Sequence, residues 1–249
     1  MGAATIKGRV AGSGSGSAQN LTGTQATTIL DAFTGDSGSG GLKGLVPAPA
    51  SGDTALRKFL KADGTWATPG MVLLTSGTVS SAATLDIVLT GYTGFRGLKF
   101  LLTGFLPVTD DVDLWMRFST DGGSTYDTTS YSYAATFTSD SAGTSTFAST
   151  GGAGSAQIAV ARSPTVGQSI SNVAAEGGAS CDIDLFNQTN TSRHPAVIFA
   201  SEWFGATTTS HFISNGGGRR QVAQDVDAVR FLFESGNISA GAYAVYGYA

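Results

Sequence analysis

The stretch VDLWMRF, residues 112–118, carries apolar side chains with a period of two. One parity holds Val112, Leu114, Met116 and Phe118. Asp113, Trp115 and Arg117 occupy the other parity, which points to the opposite face of an extended chain. Such a pattern, with charged residues between apolar ones, is typical of an antiparallel strand that buries one face and exposes the other.

The same pattern recurs through residues 71–249. Four further alternating stretches are 85–89, 181–185, 229–233 and 243–245, and four other apolar runs are 98–102, 131–137, 157–161 and 196–204. Turn-forming residues separate them, as in TDGGSTYD at 120–127 and ESGNISAG at 234–241. About nine strands joined by turns predict an all-β fold, an antiparallel β-sandwich that is jelly-roll-like.

The overall composition agrees with this fold class and argues against several kinds of function. Glycine is 35 of 249 residues, about twice the usual ~7%, which disfavours long helices. The net charge is −4 and lysine and arginine form no cluster, so we expect no nucleic-acid partner. The single cysteine, Cys181, allows no internal disulfide and no zinc spacing, and we expect no metal or other cofactor. The longest apolar stretch, 98–108, is too short for a membrane helix, so we expect no membrane insertion.

Residues 1–70 differ from the rest in composition and predict an extended segment with little core. The stretches 11–17 and 35–41 consist almost entirely of glycine and serine, as flexible linkers do. Pro47 and Pro49, in GLVPAPASGD, lack backbone donors and favour an extended path. We therefore predict two parts, an extended N-terminal segment over 1–70 and a β-sandwich over 71–249.

The stretch KFLKADGTWATPG, residues 58–70, predicts a small hairpin inside the N-terminal segment. Asp63-Gly64 is a turn dipeptide that tolerates positive φ, and Phe59 and Trp66 flank it. A short helix over 53–62, with Asp53 as its N-cap, is the alternative that the same residues allow.

Motifs that suggest catalysis have simpler explanations. The stretch GDSGSG at 35–40 begins like the nucleophile signature of serine proteases, but no histidine precedes it to act as the base. His194 and His211, the only histidines, lack a partner at metal-ligand spacing and are expected to be ordinary surface or strand-end residues. We predict that the chain is not an enzyme.

Two acidic groups lie at the ends of predicted strands. Asp110, Asp111 and Asp113 precede one strand, and Asp121 and Asp127 flank a glycine turn. Calcium could use such oxygens, but the spacing is not that of a twelve-residue calcium loop. Turn capping is the simpler explanation.

The aromatic residues have three possible roles. Trp115 lies on the polar parity of its strand, while Trp203 and Phe204 end another strand just before a Thr-rich loop. These rings could pack inside the sandwich, stack on sugars or fill a subunit interface, and between the last two we favour the interface.

Residues 44–70, GLVPAPASGDTALRKFLKADGTWATPG, resemble a known protein family. The pattern "VPAP…GD…KFLxADGTWxxP" is similar to segments of tail fibre and related structural proteins of tailed bacteriophages, where a C-terminal β-domain follows it. RFSTDGGSTYDTTSYSY at 117–133 and AVRFLFESGNISAGAYAVYGY at 228–248 resemble such proteins more loosely. Together these stretches cover about a quarter of the chain.

This resemblance implies a structural fibre protein of a virion, assembled in the host cytoplasm and commonly a homotrimer. The N-terminal segment would attach to other virion proteins, with Pro47, Pro49, Phe59 and Trp66 as the attachment residues. The C-terminal sandwich would bind a host cell-surface glycan or protein through end loops such as 120–130, 188–195 and 205–220. The candidate receptor-facing residues are Trp203, Phe204 and His211.

Two alternatives remain open. A head fibre or capsid decoration protein would have the same fold without an essential receptor role. A polysaccharide depolymerase is disfavoured, because such tailspikes usually carry a long β-helix and this chain has no repeats of that kind.

Overall fold

The chain divides into two compact units, Met1–Pro69 and Gly70–Ala249. The structure is a computed structural model that describes residues 5–9, 16–28, 30, 44–46, 49–51, 53, 57–141, 144–207 and 210–248. Most of the first predicted linker and all of the second, 35–41 with its GDSGSG motif, lie outside the described residues.

Among its described residues, the N-terminal unit contains two small antiparallel strand pairs and one short helix. Its elements are β1 (Lys7–Gly8), β2 (Gln19–Asn20), α1 (Gly23–Thr28), β3 (Phe59–Leu60) and β4 (Trp66–Ala67). A capping box begins the helix, because the Gln25 N–H donates to Thr22 Oγ1 at 3.2 Å and the Thr22 N–H donates to Gln25 Oε1 at 2.9 Å. In the described part of the chain, no helix is long and apolar enough to cross a membrane.

The hairpin predicted over 58–70 is confirmed. β3 and β4 pair antiparallel, with Leu60 opposite Trp66. Gly64 has φ of 82° in the turn, and Asp63 Oδ1 accepts the Thr65 N–H at 2.9 Å. The helical alternative is wrong, since Phe59 and Leu60 form a strand.

The described residues of the second unit form twelve strands. They are β5 (Met71–Ala82), β6 (Leu85–Val88), β7 (Gly97–Pro107), β8 (Leu114–Ser119), β9 (Tyr131–Ser141), β10 (Thr144–Ser155), β11 (Ile158–Ala161), β12 (Ala179–Phe186), β13 (Ala196–Phe204), β14 (His211–Arg220), β15 (Ala228–Phe233) and β16 (Ile238–Tyr248). One 3₁₀ turn, Ala174–Glu176, precedes β12. The all-β prediction is therefore confirmed.

The strands form two antiparallel sheets with the connections of a jelly roll. The larger sheet has the order β10-β9-β14-β13-β12-β7-β16-β5, and the smaller has the order β11-β8-β15-β6. The pairs β5–β16, β6–β15, β7–β12 and β8–β11 nest inside one another along the chain, as in a long hairpin rolled into a sandwich. Two insertions, β9–β10 and β13–β14, extend one sheet to eight strands.

The alternation in the sequence determines which side chains fill the core. Leu114, Met116 and Phe118 are fully buried, and the inward residues of the other alternating stretches are buried as well, except Tyr243, which is partly buried against the core. Phe100 of the larger sheet meets Phe231 of the smaller one edge-to-face, with ring centroids 5.8 Å apart. Such aromatic contacts join the two layers.

Three strands, β5, β10 and β14, were not predicted from the sequence. All three are rich in Gly, Ser or Thr, and β14 contains three consecutive glycines, a pattern that resembles a turn. Close packing explains the first of these glycines. A Cβ at Gly216 would lie 2.6 Å from the ring of Phe199 and 2.6 Å from the Ala135 methyl.

We predict that Gly216→Ala lowers the free energy of unfolding by about 1–3 kcal/mol, because the added methyl group has no space. Gly91→Ala is the matched control, since nothing lies within 4 Å of a Cβ at that position, and it should change stability by less than about 0.5 kcal/mol. Urea unfolding of the two variants beside the unmodified chain measures both effects. Equal stability of the two variants would contradict the close packing.

Candidate functional site

An open groove of about 610 Å³ crosses the outer face of the eight-stranded sheet. Strands β7, β12, β13 and β14 supply its lining. The outward side chains that line it are Leu101, Thr103, Ser180, Asp182, Ala200, Glu202, His211 and Ile213. The groove is shallow, and it combines apolar contacts with a few polar groups, as ligand sites do.

Strand register brings these side chains together from distant parts of the sequence. In one row across the sheet, Ser180 lies opposite Glu202, which lies opposite Ile213. In the next row, Leu101 lies opposite Asp182, which lies opposite Ala200. Apolar and acidic side chains are thus interleaved across four strands.

Acidic side chains dominate the charge of the groove. Glu202 Oε2 lies 3.0 Å from His211 Nε2, and both side chains are partly exposed. Lys99, beside the groove, pairs with Asp182 and with Asp184 Oδ1 at 3.2 Å. Burial alone would lower the pKa of Lys99, but the hydrogen bonds from these two carboxylates outweigh it and raise that pKa.

Two of the three predicted receptor-facing residues lie together at the end of this groove. His211 lines it, and the ring of Phe204 lies 5.4 Å from the imidazole between centroids. Both side chains are partly exposed. Contact with a receptor remains a prediction for these two residues.

The prediction that Trp203 faces a receptor is wrong, because this side chain is fully buried. Its ring stacks on Phe212 at 5.5 Å between centroids, and its Nε1–H donates to the Gln168 carbonyl at 2.9 Å. Parity along β13 explains the position, since Trp203 shares the inward face with Val197 and Phe199. The same parity places Phe204 on the outer face. The alternation along β13 was therefore the sequence feature from which the burial of Trp203 could have been predicted.

The thiol beneath the groove is not a reactive group. Cys181 is buried on the inner face of β12. Burial raises the pKa of this thiol to about 12, so the nucleophilic thiolate is scarce at neutral pH.

Of the predicted attachment residues, the structure describes three. Pro49 is exposed, Phe59 is 50% exposed, and Trp66 is partly buried. Pro49 and Trp66 line a pocket of about 450 Å³ with the basic residues Arg57 and Lys58. Pro47 lies outside the described residues.

The floor of that pocket contains an ion pair. Asp53 is buried, and its Oδ1 lies 2.5 Å from Lys58 Nζ. This contact, followed by the Ala50 N–H at 2.7 Å from Oδ2, holds the pKa of Asp53 below its usual value. Phe59 is on the adjoining strand and does not line the pocket.

The acidic group before β8 fixes a loop of the sandwich. Asp111 accepts the Gly167 N–H at 2.7 Å and the Ser169 N–H at 3.0 Å. Asp110 accepts the Asn172 N–H at 3.0 Å. Among the described residues, no three His, Cys, Asp or Glu side chains form a group suited to a metal ion. These aspartates accept hydrogen bonds from backbone N–H groups 56 to 62 residues away, so they join two distant segments and do not cap their own turn.

The glycine turn at 120–127 is capped, as predicted, by one of its own aspartates, Asp121. Asp121 accepts the Thr125 hydroxyl at 2.6 Å and the Thr125 N–H at 2.9 Å, which lowers the pKa of this carboxyl to about 2. Asp127 instead pairs with Arg220 Nη1 at 2.5 Å.

The structure also places two other residues that the sequence singled out. Trp115 is partly buried and packs against the core, and His194 is exposed.

Comparison of the chain with known protein families, with curated proteins and with solved structures gives no match. The assignment of function therefore rests on the residues, the fold and the resemblance of residues 44–70.

We predict that Asp113 makes the stability of the sandwich depend on pH. Burial raises the pKa of this carboxyl to about 6, although Ser169 Oγ donates to it at 2.7 Å and Arg162 Nε lies 3.3 Å away. Between about pH 4 and pH 6 the unfolded chain loses this proton while the folded chain keeps it. As the pH rises from about 4 to about 6, the free energy of unfolding should therefore fall by at most about 3 kcal/mol, and it should level off above about pH 6.

Asp113→Asn removes the titrating group and should remove this fall, while Asp140→Asn, at an exposed position on β9, should retain it. Chemical denaturation at pH 4, 5, 6 and 7 measures the effect. An unchanged slope in Asp113→Asn would show that this carboxyl is not responsible.

Proposed function

We propose that this chain is a structural fibre protein of a tailed-bacteriophage virion, attached by its N-terminal unit and contacting the host surface with its jelly roll. One observation carries the proposal. The segment that resembles phage fibre proteins, 44–70, ends where the second compact unit begins, and that unit is a β-sandwich. The order of attachment segment and β-domain is the one that the resemblance implies.

The surface of the N-terminal unit supports a role in attachment. Leu45, Val46 and Phe59 are 37%, 54% and 50% exposed, a large apolar exposure for so short a segment. Exposed apolar side chains that a small unit cannot bury are characteristic of surfaces that dock onto another protein. Other virion proteins are the partners that fit this role.

The groove on the sandwich supports contact with a host glycan or protein. Its carboxylates and imidazole can accept and donate hydrogen bonds, and Leu101 and Ile213 offer apolar contact. The proposal assigns binding and no reaction to this site, because the thiol is buried and Glu202 is paired with His211. A homotrimer remains a prediction from the resemblance.

Gold labelling of a C-terminal tag on intact particles tests the location. We expect label at the tail, at its tip or baseplate. Label spread over the capsid would make the chain a head fibre or decoration protein and would contradict a primary role in host recognition. Particles without label would contradict the virion assignment itself.

We further predict that His211→Ala weakens host binding by about tenfold, because it removes the polar group at the end of the groove, a loss of about 1.4 kcal/mol. The measurement is the concentration of purified full-length protein that halves adsorption of particles to host cells. Asn237→Ala, at an exposed position outside the candidate receptor-binding loops, is the matched control and should compete as well as the unmodified protein. Equal competition by His211→Ala and the unmodified protein would contradict contact through the groove.

A further inference from the structure

The two sheets end in four edge strands of very different length. The edges of the smaller sheet, β6 and β11, have four residues each, whereas β5 and β10, the edges of the larger sheet, have twelve each. An edge strand presents a row of unpaired N–H and C=O groups, and short edges limit pairing with another chain. The two twelve-residue edges are long enough to pair with another chain over many residues.

Neither long edge is protected by a charged residue or a proline, and the bulge that each one carries lies towards one end of the strand. Proteins block edge strands with charged side chains, prolines or bulges. β10 has the sequence TSTFASTGGAGS and β5 has the sequence MVLLTSGTVSSA, without a charge or a proline in either.

The backbones of both edges contain regular segments that could pair. β10 runs in regular register with β9 from Thr144 to Ala153, and its irregularity comes only at the C-terminal end. β5 runs in regular register with β16 from Thr75 to Ser80. Alternate residues of these segments direct their N–H and C=O groups outward.

Side chains near the two edges suit close approach by another chain. On β10, Phe147 is 71% exposed, and Ile213, two strands away in the same row, is 46% exposed. On β5, the exposed side chains at Ser76, Thr78 and Ser80 are small hydroxyls. Small uncharged side chains on one edge leave room for a large apolar one on the other.

The direction of the strands favours a head-to-tail arrangement. All neighbours in the larger sheet are antiparallel and the sheet has eight strands, so β10 and β5 run in opposite directions. A second copy in the same orientation would place its β5 beside β10 with the antiparallel alternation unbroken. Pairing of β10 with itself would leave both β5 edges uncovered, whereas head-to-tail pairing covers edges of both kinds.

We propose that β10 of one copy pairs antiparallel with β5 of a second copy, so that the eight-stranded sheet continues from one copy into the next. Because this contact joins two different surfaces, it repeats and produces a ring or a filament. The proposal does not depend on the virion assignment.

Cysteine cross-linking tests the pairing directly. Ser149 on β10 and Thr78 on β5 are exposed, while the native Cys181 is buried and should not react. With a short bis-maleimide, the double variant Ser149→Cys/Thr78→Cys should form a ladder of covalent oligomers, and each single variant should remain monomeric on a denaturing gel. A covalent dimer from Ser149→Cys alone would show β10 self-pairing and overturn the proposal, as would a double variant that gives no oligomers.

A charge on the edge provides an independent measurement. Ser149→Lys should raise the dissociation constant of the assembly at least tenfold in sedimentation equilibrium, because pairing would desolvate the added ammonium group. Ser192→Lys, at an exposed loop position, is the matched control and should leave assembly unchanged. An unmodified chain that stays monomeric at all concentrations, or an assembly that Ser149→Lys does not weaken, would overturn the proposal whatever the labelling of particles shows.

Discussion

Pairing of the last strand with the first strand of the sandwich closes the fold. β16 lies between β5 and β7, with Tyr248 opposite Met71 at one end and Ile238 opposite Ala82 at the other. These partners are separated by most of the sandwich sequence, so the closing contact is non-local. The β5–β16 pair encloses the other three pairs of the rolled hairpin, and the two sheets bury their apolar faces against each other.

The two inserted strand pairs, β9–β10 and β13–β14, form much of the surface to which we assign functions. β13 and β14 are added beyond β12, and together with β7 they form the groove. β9 and β10 extend the same sheet further and create the long edge. Aspartates before β8 anchor the loop that packs against Trp203, so the floor under the groove is fixed by hydrogen bonds from another segment.

The sequence was sufficient for the fold class but only partly for the site. Parity in VDLWMRF and along β13 is a local property, so strands and buried faces could be predicted from it. β14 was not predicted because its three consecutive glycines resemble a turn. In the structure, Gly216 lies within this strand, where only a residue without a side chain leaves room for the ring of Phe199. The juxtaposition of Glu202 with Ser180 and His211 depends on register between distant strands, and no local pattern encodes that register.

The nearness of Met71 and Tyr248 has a consequence for the history of such a chain. Because the first and last strands of the sandwich begin and end at neighbouring points, this domain can be inserted into another protein without changes to its own strand pairing. Recombination that joins new N-terminal segments at Gly70 would leave every strand pair of the jelly roll intact. The architecture therefore lets the segment before the sandwich and the loops upon it diversify separately.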